Sequence, residues 1–153
     1  RTARKFGVSV GFIASISVTL YFREASRQDE RFELVAVYSR TQETADAFAA
    51  RHQIPYTFTS LEEMAQSSLI DAVYIASPNF LHAPQSILCM KHGKHVLCEK
   101  PFASNVREAG EMIEASRKYN VTLMEAMKFE SSGLKAFSTI PSLNLSYRDE
   151  YWQ

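Results

Sequence analysis

A doubly wound α/β fold, with a six-stranded parallel sheet covered by helices on both faces, is the class this sequence predicts. Three observations carry it. From Phe32 to Glu125, short runs rich in β-branched residues alternate with amphipathic helical segments. The runs are apolar at successive positions, as in Ala72-Val73-Tyr74-Ile75-Ala76, so each strand needs cover on both faces. The connections are a helix plus a few residues, which forces right-handed parallel crossovers.

Taken in order, Lys5 to Val8 reads as the first strand and Ser9-Val10-Gly11-Phe12-Ile13-Ala14 as a phosphate-binding turn opening a helix. Two readings stand beyond Phe12. Ile13, Ile16 and Leu20 can share one helix face, whereas Ser15 to Phe22 alternates polar and apolar residues with strand periodicity. Phe32 to Tyr38 is a buried strand, and Thr41 caps a helix carrying Ala45, Phe48, Ala49 and His52 on one face. Tyr56-Thr57-Phe58 is a short strand, and Ser60 with Glu63 forms a capping box for a brief helix. The strand Ala72 to Ala76 runs into Ser77-Pro78-Asn79, and the next helix has Pro84 in its first turn and stops at Gly93. His95 to Cys98 is the fifth strand. Asn105 and Glu108 cap a helix with Val106, Ala109, Met112, Ile113 and Ser116 along one side, and Val121 to Glu125 closes the series. The expected strand order is 3-2-1-4-5-6.

Composition narrows the function classes. The chain has 153 residues, 46% of them hydrophobic, enough for one core. Seventeen basic residues balance seventeen acidic ones, with no Lys/Arg block to hold nucleic acid or an anionic membrane, so a small molecule is the expected partner. No apolar run reaches transmembrane length, and the basic Arg-Thr-Ala-Arg-Lys start is not followed by a clean secretory pattern. Cys89 and Cys98 suit core packing in a reducing cytoplasm, and no His or Cys spacing suggests a metal site. Residues 1–128 read as one dinucleotide-binding domain and 129–153 as an irregular tail or the remnant of the start of a second domain.

Open parallel sheets bind ligands beyond the carboxyl ends of their strands. At the first end, Ser9 to Ala14 matches G-x-G-x-x-A with serine in the first glycine position. Gly11 stands where backbone must approach a pyrophosphate, and the amides of Val10, Phe12 and Ile13 complete the turn. At the second, no acid follows Tyr38. Ser39 and Thr41 supply hydroxyls and Arg40 a planar cationic fork, a set suited to the 2′-phosphate of NADP, although Arg40 equally suits a solvated helix start. At the fourth, small Ala76 and Ser77 leave room for a ligand, Pro78 sets the turn, and Asn79 caps a helix or meets a ribose. His82 is either part of that site or a first-turn surface residue. The fifth ends at Glu99-Lys100-Pro101.

Together, the Phe6 to Ala14 segment, the Val35 to Arg40 strand end, Ser77-Pro78-Asn79 with His82, and His95-Val96-Leu97-Cys98-Glu99-Lys100-Pro101 resemble the Gfo/Idh/MocA family of NAD(P)-dependent sugar and polyol oxidoreductases. The resemblance runs over about residues 4 to 128. It implies a Rossmann domain, NADP or NAD as cofactor, a sugar or polyol substrate and a homo-oligomer when full length. It also implies that Lys100 is catalytic at the reacting hydroxyl, that Glu99 holds that lysine, and that Pro101 shapes the loop, often through a cis bond. Members carry a second α/β domain that forms the substrate wall, and nothing after Phe129 resembles it. A non-catalytic nucleotide-binding or interaction module keeping the same fold is the alternative. A flavodoxin-like or methyltransferase domain is a third reading, and it leaves the Glu-Lys-Pro strand end without a purpose.

Overall fold

The structure is a computed structural model that describes residues 8–14 and 32–126. Its strands are β1 (Val8–Ala14), β2 (Phe32–Tyr38), β3 (Tyr56–Phe58), β4 (Ala72–Ala76), β5 (His95–Glu99) and β6 (Leu123–Ala126). Four α-helices are described: α1 (Gln42–His52), α2 (Leu61–Gln66), α3 (His82–Lys91) and α4 (Val106–Lys118). A 3-10 turn at Asn79–Leu81 precedes α3. All strand pairs are parallel and the order is β3-β2-β1-β4-β5-β6, the doubly wound arrangement expected.

The helices start where their caps dictate. Thr41, Ser60 and Asn105 each accept a hydrogen bond from the backbone N–H three residues on, at 3.3, 3.2 and 2.9 Å. Two residues past the end of α3, Gly93 turns the chain with a φ of +75°, a left-handed conformation that glycine adopts without a Cβ clash. One sheet face packs Ile13, Val73, Ile75, Val96 and Cys98 against Met64 of α2, Met90 of α3 and Met112 of α4. On the other face Val37 meets Ala49 and Phe48 of α1, and Phe12, Tyr74 and Leu97 extend the layer. Cys89 and Cys98 are free and fully buried. Burial pushes both thiols up to about 12.

The first strand departs from expectation. Among the described residues it runs Val8–Ala14, through the expected turn, so Ser9, Val10, Gly11, Phe12 and Ile13 form a buried strand and no phosphate turn; Lys5 to Gly7 lie outside the described residues. Packing explains the change. Val10 and Phe12 enter one apolar layer, Ile13 the other. A Cβ on Gly11 would stand 2.3 Å from Met64 Cε and 3.1 Å from Ile70 Cδ1, so this glycine lets α2 and its following loop approach the sheet. Ser9 lies at the amino edge, where its N–H donates to Asp71 Oδ2 at 2.9 Å and its carbonyl accepts from Asp71 N at 2.8 Å. With five residue steps from Ser9 to Ala14 at ~3.3 Å each, that edge is roughly 16 Å from the ligand end. The choice between helix and strand for Ser15 to Phe22, and the tail at 129–153, lie outside the described residues.

Candidate functional site

Strand order reverses direction between β1 and β4, whose last residues, Ala14 and Ala76, are register partners. In open parallel sheets this is where ligands bind, and here the ends of β2 and β5 lie on either side of it. These four ends gather the remaining candidate residues on one sheet edge.

On the β2 side, Ser39 N donates to Phe58 O at 3.0 Å, which fixes the strand end. Arg40 is exposed, with no ion pair among the described residues. The hydroxyl of Thr41 is committed to the α1 cap and lies 2.8 Å from Thr44 Oγ1, so its first role is to start the helix.

On the β4 side, Ala76 is buried and Ser77 donates its hydroxyl to Gln85 Oε1 at 2.6 Å. Pro78 and Asn79 are exposed. Asn79 is the first residue of the 3-10 turn, whose cap position is Pro78, and the cap position of α3 is Leu81, so exposed Asn79 caps neither. His82 corrects the expectation for it, since it is only 1% exposed. Its Nε2 lies 2.8 Å from Ser77 O and its Nδ1 2.9 Å from Pro101 O. With both ring nitrogens engaged by backbone, it is neither a surface residue nor a direct cofactor ligand.

The β5 end is the most heavily built. The Lys100–Pro101 bond is cis, as the resemblance implied. Glu99 holds Lys100 through its backbone, Oε2 accepting from Lys100 N at 3.1 Å, which leaves the exposed ammonium side chain to reach outward. Tyr74 donates its phenol to Glu99 Oε1. Burial, then the hydrogen bond to Glu99, then the carboxylate charge raise the phenol's pKa, so it stays a donor at any ordinary pH. From β6, Glu125 Oε1 accepts from Phe102 N at 3.0 Å, and Cys98 Sγ lies 3.7 Å from Phe102 O. The backbone around Lys100 is thus held at three consecutive residues, Lys100, Pro101 and Phe102.

The amino-acid pattern of this domain matches a known family over nearly its whole described length. Residues 8–127 fit the GFO_IDH_MocA family, described as an oxidoreductase family with an NAD-binding Rossmann fold. The chain belongs to the Gfo/Idh/MocA oxidoreductase family. It is 57% identical over 111 residues to the scyllo-inositol 2-dehydrogenase (NADP(+)) IolU of Bacillus subtilis (strain 168), a match covering 72% of this chain and 34% of that protein. It is 44% identical over 94 residues to a trans-1,2-dihydrobenzene-1,2-diol dehydrogenase of Xenopus laevis, covering 61% and 28%. Among solved structures, an NAD binding oxidoreductase from Klebsiella pneumoniae superimposes with a TM-score of 0.74 at 30% identity, covering 78% of this chain and 34% of that one. The 3-ketoreductase KijD10 of Actinomadura kijaniata, in complex with NADP and TDP-benzene, does so at 0.72 and 27%, covering 78% and 37%. The chain thus spans about a third of the length of the Gfo/Idh/MocA relatives it matches.

Ser9 to Ile13 lie inside the sheet, away from the switch-point edge at which Rossmann domains hold their dinucleotide. Sequence reasoning missed Tyr74, Gln85 and Glu125. Tyr74 and Glu125 left a faint signal: a polar tip in an otherwise apolar strand, and an acid at the end of the last one.

Proposed function

We propose that this chain is the cofactor-binding domain of an NADP(H)-dependent oxidoreductase. The enzyme interconverts a secondary alcohol and a ketone on a cyclic polyol or sugar. Bound NADP(H) supplies the hydride acceptor or donor. Lys100 takes the hydroxyl proton in oxidation and returns it in reduction, and Glu99 fixes the lysine's backbone. Ser39 and Arg40 hold the adenosine ribose phosphate, with Thr41 ordering the helix start beneath them. Ala76, Ser77, Pro78 and Asn79 form the wall along which the cofactor lies, Asn79 offering its exposed amide to a ribose.

The observation that carries this reading is the exposed Lys100 on a loop pinned at three residues, at the end of β5 beside the β4 strand that borders the switch point. The likeness to an NADP(+)-dependent scyllo-inositol dehydrogenase supports both the cofactor and the polyol class. Residues 1–128 are the cofactor domain in this reading, and the substrate wall comes from chain that the longer relatives have in addition. The test uses the full-length protein containing this chain, assayed by nicotinamide absorbance with NADP and inositols or sugars. Turnover should fall by on the order of 100-fold or more in Lys100→Met, with cofactor affinity little changed. A folded full-length protein that binds NADPH but oxidises and reduces none of these compounds would favour the nucleotide-binding module instead.

A further inference from the structure

His82 and Glu125 both touch the catalytic loop. Each is held to backbone. The imidazole of His82 lies between two carbonyl oxygens, Ser77 O at the end of β4 and Pro101 O in the lysine loop. Each ring nitrogen lies within hydrogen-bond distance of one carbonyl, and the tautomer decides which N–H donates. Glu125, exposed at the end of β6, accepts from Phe102 N. Lys100 is therefore followed by two residues fixed from α3 and from β6, and preceded by Glu99, fixed by Tyr74.

We propose that His82 and Glu125 are positioning residues for Lys100. They hold the Lys100–Phe102 loop from two different elements and set where the ammonium stands relative to the β4 wall, without touching cofactor or substrate. His82 also ties the two walls to each other, because one ring bridges the β4 end and the β5 loop. The proposal rests on the role given to Lys100 above. Its energetic logic is that of proton transfer between fixed groups, where a displacement of about 1 Å costs on the order of 100-fold in rate.

The test is made in the full-length protein. His82→Gln keeps an amide donor, but on a single nitrogen that cannot span both carbonyls. It should lower kcat by on the order of 10-fold to 100-fold and leave the KM for NADPH within about twofold. In a Lys100→Met background the same change should alter turnover by less than about twofold, because the tie acts only through the lysine. A raised cofactor KM with kcat retained would make His82 a cofactor ligand and overturn the proposal, as would full additivity with Lys100→Met. Glu125→Ala, at an exposed position that tolerates substitution, should lower kcat by about 3-fold to 10-fold with the same unchanged KM. No loss there would also overturn it.

A readout independent of turnover separates this idea from the oxidoreductase reading. After reductive methylation with isotopically labelled methyl groups, the Lys100 resonance, assigned by its loss in Lys100→Met, should shift in His82→Gln and in Glu125→Ala. It should not move in Arg107→Ala, whose guanidinium pairs with Glu111 at 2.5 Å on the outer side of α4. A protein without turnover would sink the oxidoreductase reading while this resonance still reports the tie. A resonance unmoved in both variants would overturn the tie.

Discussion

Tyr74 in β4 donates its phenol proton to Oε1 of Glu99 in β5, and the second oxygen of Glu99 accepts the backbone N–H of Lys100. The tyrosine ring is 3% exposed and lies against Phe12, with ring centroids 4.9 Å apart. The core of the sheet therefore orients the carboxylate at its edge. Tyr74→Phe keeps the ring packing and removes the donor. It should destabilise the protein by about 1.5–3 kcal/mol, the range for a hydrogen bond to a charged group. Because the folded phenol titrates above its ordinary value of 10.0, its contribution is complete below that pH and is lost as pH rises above it. Urea melts from neutral to alkaline pH check both points: the wild type should lose its advantage over Tyr74→Phe on the alkaline side, and equal neutral stability would remove the bond from the account.

Gly11 makes the opposite point about the edge and the core. Adding a methyl there would drive it into Met64, which is fully buried. Gly11→Ala should cost about 1–3 kcal/mol of stability by overpacking, softened to the extent that the end of Met64 can move. Cofactor affinity should stay the same in the surviving folded protein. By the same reasoning Ser9→Gly should not tighten NADPH binding, since Ser9 pairs with Asp71 at the far edge. Fluorescence titration of NADPH against both variants decides the matter, and a change in affinity beyond about threefold in either would return these residues to the phosphate site.

Arg40 provides the cofactor test. It is exposed beside Ser39 at the end of β2, where an acid would bind ribose hydroxyls and repel a 2′-phosphate. NADPH should bind more tightly than NADH, and Arg40→Asp should reverse that order. Nicotinamide fluorescence with both cofactors measures it, and an unchanged ratio would return Arg40 to being a solvated charge.

How much was legible follows from where the information lies. Strands β2, β3 and β4 coincide with their expected spans because each is a short apolar run bounded by turn or cap residues that act locally. The capping hydroxyls of Thr41 and Ser60 and the amide of Asn105 are equally local, and all three form as expected. The first strand failed because a glycine means two different things. In a turn it admits a phosphate, and in a strand it admits a neighbouring side chain, here Met64, far away in sequence. His82 failed for a related reason. That its partners would be carbonyls of Ser77 and Pro101, 5 and 19 residues away, is a property of the assembled sheet edge. Lys100 was legible as a candidate because its neighbours Glu99 and Pro101 are adjacent in sequence, while Tyr74 and Glu125, which hold the same loop, come from other strands.

His95 gives a pH dependence with a definite sign. Its Nδ1 accepts the backbone N–H of Thr122 at 2.9 Å, a bond that needs the unprotonated nitrogen. Burial lowers the imidazole's pKa below its ordinary value of 6.5, against the opposing pull of Asp71. The unfolded chain therefore takes up this proton first as pH falls. The contribution of His95 is present above pH 6.5 and is lost as pH falls below it through the lower folded value. His95→Asn retains an acceptor near the same position and does not titrate. Its Tm should be close to the wild type's near pH 8 and should fall less steeply below about pH 6.5. Thermal melts across that interval measure the difference, and parallel curves for the two proteins would show that His95 plays no part in the acid limb.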